Sequence, residues 1–217
     1  INTRPILKGR EVEGECIELL ARLTGRPLVK NTKRRDNGLI SGECDIFDAP
    51  IRHGRDVKAP YSMASMPIAL ADCYDSGYEW QMQGYEILWD AETWSVDYLL
   101  VSTPEDLIGI EPAALHYVDH LPEHLRWTTW PVARDRRLEA LILDKVLAAR
   151  RYYAQVLNEF DRTHRLPAPL TGDVGDDTTP LPLPDLRADD PADMDAPWAL
   201  PTTPIDRPRA VLAAANF

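Results

Sequence analysis

The chain has 217 residues and a formal net charge of −11. That length allows one sizeable domain plus an extension, and no apolar run approaches the length of a membrane span. The acidity speaks at first sight against a nucleic-acid binder, which usually shows basic surface. The three cysteines, Cys16, Cys44 and Cys73, are too few and too widely spaced for a disulfide framework or a zinc module.

The charge is unevenly spread. Residues 166–217 carry nine aspartates against three arginines, a net of −6, which leaves −5 for residues 1–165. Unpaired cysteines fit a reducing setting, so the expected compartment is the cytoplasm. Their expected fate is burial as small apolar side chains.

Residues 7–23 read as an amphipathic helix, with Val12, Cys16, Leu19, Leu20 and Leu23 at three- and four-residue spacing. Thr24-Gly25 and Pro27 end it. Glu11, Glu15 and Glu18 belong to its wet face. Glu13 either joins them or, lying on the flank of Ile17 and Leu20, points along the core edge toward the strands. Residues 27–31 suggest a strand leading into the basic run Lys30, Lys33, Arg34, Arg35. Asp36-Asn37-Gly38 is a turn signal. That run is either a solvated hairpin tip or a loop that grips phosphates.

Residues 40–60 hold the densest chemistry. Two short strands, 41–47 and 55–59, are expected around a turn marked by Ala49-Pro50 and His53-Gly54. Alternation puts Asp56 and Lys58 on one face. Pairing with the first strand brings Asp45 to them. Two carboxylates and one ammonium in a small space suit a divalent cation, because Mg²⁺ takes carboxylate oxygens and activates both a phosphoryl group and water. A nearby lysine can position that water or offset developing charge. Phosphodiester hydrolysis is the chemistry such a set supports. A solvated surface charge pair is the other reading of Asp-x-Lys.

Residues 61–75 suggest a helical segment interrupted at Pro67 and broken at Ser76-Gly77. Residues 78–89 read as a second clear helix, with Gln81 and Tyr85 stacked four apart and Met82, Tyr85 and Trp89 in an apolar line. On residues alone, Tyr85 is core and Gln81 surface, or both serve a site. Residues 94–101 form an apolar strand of central type, ended by Thr103-Pro104. Residues 109–122 are ambiguous; 116–120 could form a short strand, with His116 and His120 as hydrogen-bonded residues rather than ligands. Residues 134–160 keep a helical period. Their basic side chains form its wet face or a DNA groove. From residue 166 the chain changes character: ten of its nineteen prolines lie there, among clustered aspartates. Such a composition cannot by itself bury enough surface to offset its ordering cost. The expected division is therefore a domain over 1–165 and an acidic, proline-rich extension over 166–217.

The order of these elements resembles the PD-(D/E)xK nuclease superfamily, in particular the branch of RecB-type nuclease domains and lambda-exonuclease-like phage exonucleases. Gly9-Arg10-Glu11-Val12-Glu13 is similar to that branch's first motif. Gly42-Glu43-Cys44-Asp45 is similar to its second and Asp56-Val57-Lys58 to its third, with aspartate where many members carry glutamate. Gln81-Met82-Gln83-Gly84-Tyr85 is similar to its fourth. The resemblance covers residues 8–160.

It implies an α/β fold, a central mixed β-sheet flanked by helices. It implies that Asp45, Asp56 and the Val57 carbonyl bind Mg²⁺, a role Mn²⁺ could also fill, with Glu13 at or beside a second metal. Lys58 would orient the attacking water, and Gln81 and Tyr85 would support the site. Lys33, Arg34 and Arg35 are added as phosphate contacts from the residues, not from the motifs. No iron–sulfur cluster is expected, because the cysteines number three and all precede residue 74. The implied activity is a metal-dependent DNA exonuclease of phage or prophage recombination type, in a bacterial or phage-infected cell. Its partners would be DNA, a single-strand annealing protein and further copies of itself. A non-catalytic DNA-binding or structural subunit and an endonuclease are the alternatives.

Overall fold

The computed structural model describes residues 3–164. The chain opens with two helices, α1 (Arg4–Glu11) and α2 (Glu13–Thr24). The single helix expected over 7–23 is therefore broken, at Val12, whose φ and ψ are −99° and 6°. The apolar positions Val12, Cys16, Leu19, Leu20 and Leu23 all lie at or after this break, so their periodicity did not mark it. What the pattern missed is Lys8, which is fully buried. Its ammonium donates to the carbonyls of Pro60 (2.7 Å), Tyr61 (3.2 Å) and Val101 (2.9 Å). Burial pulls its pKa down to about 8. Gly25 closes α2 in the left-handed conformation, as the Thr24-Gly25 signal requires.

A small hairpin of β1 (Arg35–Asp36) and β2 (Ser41–Gly42) precedes the main sheet. No strand forms over 27–31, although the Asn31 N–H donates to the Asp45 carbonyl at 2.7 Å. The main sheet contains β3 (Ile46–Asp48), β4 (His53–Lys58), β5 (Thr93–Leu99) and β6 (Trp127–Ala133), in the spatial order β3-β4-β5-β6. The outer pairs are antiparallel and β4–β5 is parallel, so the sheet is mixed. The strand expected over 41–47 thus divides into β2 and β3, and 43–45 lie between them. A parallel pair needs a crossover. Here it runs through α3 (Leu70–Cys73) and α4 (Ser76–Trp89). Ser76-Gly77 does not break a helix but starts one: Asp75 Oδ1 caps α4 by accepting from Gly77 N–H (2.7 Å) and Tyr78 N–H (3.1 Å).

β6 was not expected, and residues 109–122 form turns and single 3₁₀ turns rather than a strand. Pro131 argues against a strand. β6 lies at the edge of the sheet, where a missing N–H is tolerated. Helix α5 (Arg136–His164) follows, capped by Asp135, whose carboxylate accepts from Arg137 N–H at 2.9 Å.

Alternate residues of β5 serve two cores. Trp94 and Val96 pack with Met82, Trp89, Cys44 and Val132 in the cluster under α4. Leu99 packs with Ile46 and with Val12, Cys16, Leu19 and Leu20 of the α2 layer. Both sheet faces are covered, which makes an α/β sandwich of helix, sheet and helix. Leu20 is wholly buried, and truncating such a leucine to alanine costs about 2–5 kcal/mol. Gly54 lies beside Trp94 across the β4–β5 pair, and a Cβ there would overlap the indole ring. All three cysteines are free and buried.

Residues up to Val146 make one compact unit, and a second begins at Leu147. Within the second, the described residues 147–164 are helical, with Tyr152, Tyr153 and Phe160 exposed. The proposed extension over 166–217 lies outside the described residues. Among the described residues no helix is long and apolar enough to cross a membrane.

Candidate active site

Asp45 immediately precedes β3. The ladder pairs Ile46 with Arg55, and one further step in that register sets Asp45 across from Asp56. Opposed residues of an antiparallel pair project to one face, and Lys58 shares it two residues on. Lys58 Nζ lies 2.6 Å from Asp56 Oδ2 and 4.4 Å from the centroid of the Tyr78 ring. The Lys58 ammonium is the counter-charge of this buried oxygen. Asp45 Oδ2 accepts from Val57 N–H at 2.7 Å. A strand residue's N–H and C=O point to the same edge, which turns the Val57 carbonyl toward Asp45 as well.

The electrostatics follow from burial. Asp56 is 3% exposed. Burial pushes its pKa up, the charge and contact of Lys58 oppose this, and Asp97 and Glu13 add to it. Burial, then the charge of Asp56, lifts Asp45 to about 6, against the pull of the Val57 N–H. For Lys58 burial works against the charged form, but Asp56 outweighs it and the pKa ends above its ordinary value. Two carboxylates facing one ammonium leave uncompensated negative charge.

Glu13, the first residue of α2, reaches the same cleft and is ion-paired with Lys30. On α4, Gln81 Nε2 donates to Tyr85 OH (3.1 Å), which donates to the Glu43 carbonyl (2.9 Å). Gly42 lies beneath the Tyr85 ring; a Cβ there would stand 2.7 Å from Tyr85 Cε1. Tyr85 thus ties α4 to the segment that delivers Asp45. The structure brings Glu13, Asp45, Asp56, Lys58, Gln81 and Tyr85 together around one cleft of about 660 Å³.

The basic run is not part of that lining. Lys33 is exposed. Arg34 donates to Ser41 Oγ at 2.7 Å. Arg35 donates to the Leu88 carbonyl at 3.0 Å and lies over the Trp89 ring, 5.3 Å from its centroid. The cleft instead contains Arg10, Tyr78 and Tyr98, to which the sequence reading gave no role. Tyr98 pairs with Lys58 across β4 and β5; it becomes legible only once that pairing is known. Arg10 stood inside the first motif, three residues before Glu13.

Asp45, Asp56 and the Val57 carbonyl form an all-oxygen donor set, the type hard divalent cations take. Among the described residues no three His, Cys, Asp or Glu side chains form a ready cage. Mg²⁺ does not need one, since it binds through one or two carboxylates and keeps waters and substrate phosphates. The residues present therefore fit such an ion.

No protein-family model and no curated protein matches the chain. Solved structures do. The crystal structure of a phage related exonuclease from Haemophilus somnus 129PT is 34% identical over 74% of this chain and 75% of that one, with a TM-score of 0.69. An alkaline exonuclease from Laribacter hongkongensis shares the fold at 17% identity, over 76% of this chain and 74% of that one, with a TM-score of 0.52. Its complex with dAMP matches at 16% identity over 76% of each chain, with a TM-score of 0.54. With that identity over about three quarters of both chains, and a mixed sheet flanked by helices with the four motifs in order along the chain, the chain belongs to the phage-related, lambda-exonuclease-like family of PD-(D/E)xK nucleases.

Proposed function

We propose that the protein is a metal-dependent DNA exonuclease that hydrolyses phosphodiester bonds from duplex ends. The observation that carries this reading is the convergence of Asp45, Asp56 and Lys58 on one face of the sheet, inside one cleft. The 34% identical structure of a phage related exonuclease supports the direction of attack from an end.

In this reading Asp45, Asp56 and the Val57 carbonyl would hold Mg²⁺, and Glu13 would serve at or beside a second ion. The bound ion supplies charge for the phosphoryl oxygen and a more acidic water. Lys58 Nζ donates a hydrogen bond to the attacking water and offsets charge developing on the phosphorane. Gln81 and Tyr85 keep α4 against the segment carrying Asp45. Lys33, Arg34 and Arg35 contact phosphates beyond the cleft. A single-strand annealing protein takes the exposed strand, and further copies of the chain complete the assembly.

The test is digestion of linear duplex beside covalently closed circular duplex, with Mg²⁺ or with EDTA. Loss of linear DNA in Mg²⁺, with the circle intact, is the expected result. Cutting of the circle would move the assignment to an endonuclease. Inertness toward both would leave the non-catalytic subunit.

A further inference from the structure

The cleft holds more negative charge than Lys58 can offset. Its lining contains three carboxylates, Glu13, Asp45 and Asp56, and two cationic side chains, Lys58 and Arg10. Lys58 is committed to Asp56, and Lys30, which reaches in from outside the lining, is committed to Glu13. A DNA backbone entering such a site meets like charge, which a partly buried cleft screens less than open water does. Among the described residues, Arg10 has no ion-pair or hydrogen-bond partner, and it is exposed. Glu13, three residues on, is the neighbour a helix would offer it, but the break at Val12 and the pairing with Lys30 leave Glu13 engaged elsewhere.

We propose that Arg10 is the backbone anchor of this cleft, its guanidinium receiving a non-scissile phosphate of the bound DNA. This rests on the nuclease reading above and adds a residue to it. Arginine suits the task because its planar fork meets phosphate oxygens in pairs. Its position is fixed by Lys8. Two residues earlier on α1, that buried ammonium binds the carbonyls of Pro60 and Tyr61, two and three residues after Lys58 in the chain, and that of Val101. The last turn of α1 and the strand carrying Asp56 and Lys58 therefore form one frame. Gly9, beside Arg10 in the lining, has open space where a Cβ would stand, which leaves room for a ligand.

The experiment measures anisotropy of a labelled duplex oligonucleotide bound by the full chain carrying Asp56→Asn, with Arg10 intact, Arg10→Ala or Arg10→Lys, over a salt series. Loss of one phosphate contact lowers the slope of log K against log salt by about 0.9 and weakens binding about tenfold at moderate salt. Arg10→Lys recovers part of the affinity. With Asp56 restored, Arg10→Ala raises KM and leaves kcat at saturating DNA within about threefold. Unchanged slope and affinity in Arg10→Ala would overturn the proposal while leaving the nuclease reading in place. A wild-type chain that neither binds nor cuts the duplex would overturn both. The melting temperature of Arg10→Ala should match the parent, because the side chain is exposed; a large drop would mean that Arg10 supports the fold and not the DNA.

Discussion

Asp45 and Asp56 stand opposite one another where the β3–β4 ladder gives out, and the backbone N–H that would have continued the ladder, that of Val57, binds the Asp45 carboxylate instead. The sheet thus trades one rung for a pair of facing carboxylates. Such an arrangement costs stability in the protein alone and is useful to a polyvalent ligand.

That trade predicts opposite effects on stability and activity. Asp45→Asn and Asp56→Asn should each lower DNA hydrolysis by a factor of about 100 or more. Asp45→Asn should not lower the melting temperature, because it relieves repulsion and an amide oxygen can still accept from Val57 N–H. Asp56→Asn relieves the same repulsion but leaves Lys58 without its partner and should melt lower than Asp45→Asn. Lys58→Met should also abolish hydrolysis, but it strands Asp56 in the interior and should cost about 3 kcal/mol. Paired activity and thermal-melt measurements check both signs.

A second prediction concerns Tyr85. Tyr85→Phe removes the hydroxyl that donates to the Glu43 carbonyl, worth about 1 kcal/mol. Gly42→Ala would push a methyl into the Tyr85 ring. Both should lower kcat more than they lower the melting temperature, because the perturbed contact positions Asp45. Equal losses in stability and rate would assign these residues to packing alone.

Lys8→Met should be among the most damaging changes outside the carboxylates. The Tyr61 carbonyl keeps a donor in Thr103 Oγ1 at 2.8 Å, but the bonds from Lys8 to Pro60 and Val101 are lost. Two stranded acceptors make the expected loss about 3 kcal/mol, read by chemical denaturation.

Glu86 sets a pH dependence. It is fully buried on α4, and among the described residues neither carboxyl oxygen has a hydrogen-bond partner. Burial, with the charge of Glu139 and against those of Arg134 and Arg136, lifts its pKa from 4.5 to about 8. The folded state therefore holds this proton where the unfolded state has lost it. The resulting penalty is absent below pH 4.5, grows as pH rises and is complete above about pH 8. Glu86→Gln should melt progressively higher than wild type as pH goes from 6 to 9. A constant gap between the two would refute the assignment.

Much of this was legible in the chain itself. The period-two pattern around Asp56 and Lys58 and the helical spacing of Gln81 and Tyr85 placed four of the cleft residues on the right elements. The rest depended on pairing that no local pattern encodes. Pro131 hid β6, because a proline is excluded from central strands but not from an edge. Nothing local marked Lys8 as buried, since its three acceptors lie 52, 53 and 93 residues away. The basic run gave no sign that the Arg35 guanidinium would lie over the Trp89 ring and donate to the Leu88 carbonyl. Arg10 was overlooked because its importance comes from what its neighbours are already bound to.

The most direct test of the central claim is the rate of nucleotide release from linear duplex as Mg²⁺ is titrated from an EDTA-treated state. The wild-type rate should start at zero and rise to saturation, and Asp45→Asn should stay near zero throughout. Release in EDTA, or an Asp45→Asn curve that overlays the wild type, would contradict a hydrolytic site built on the facing aspartates.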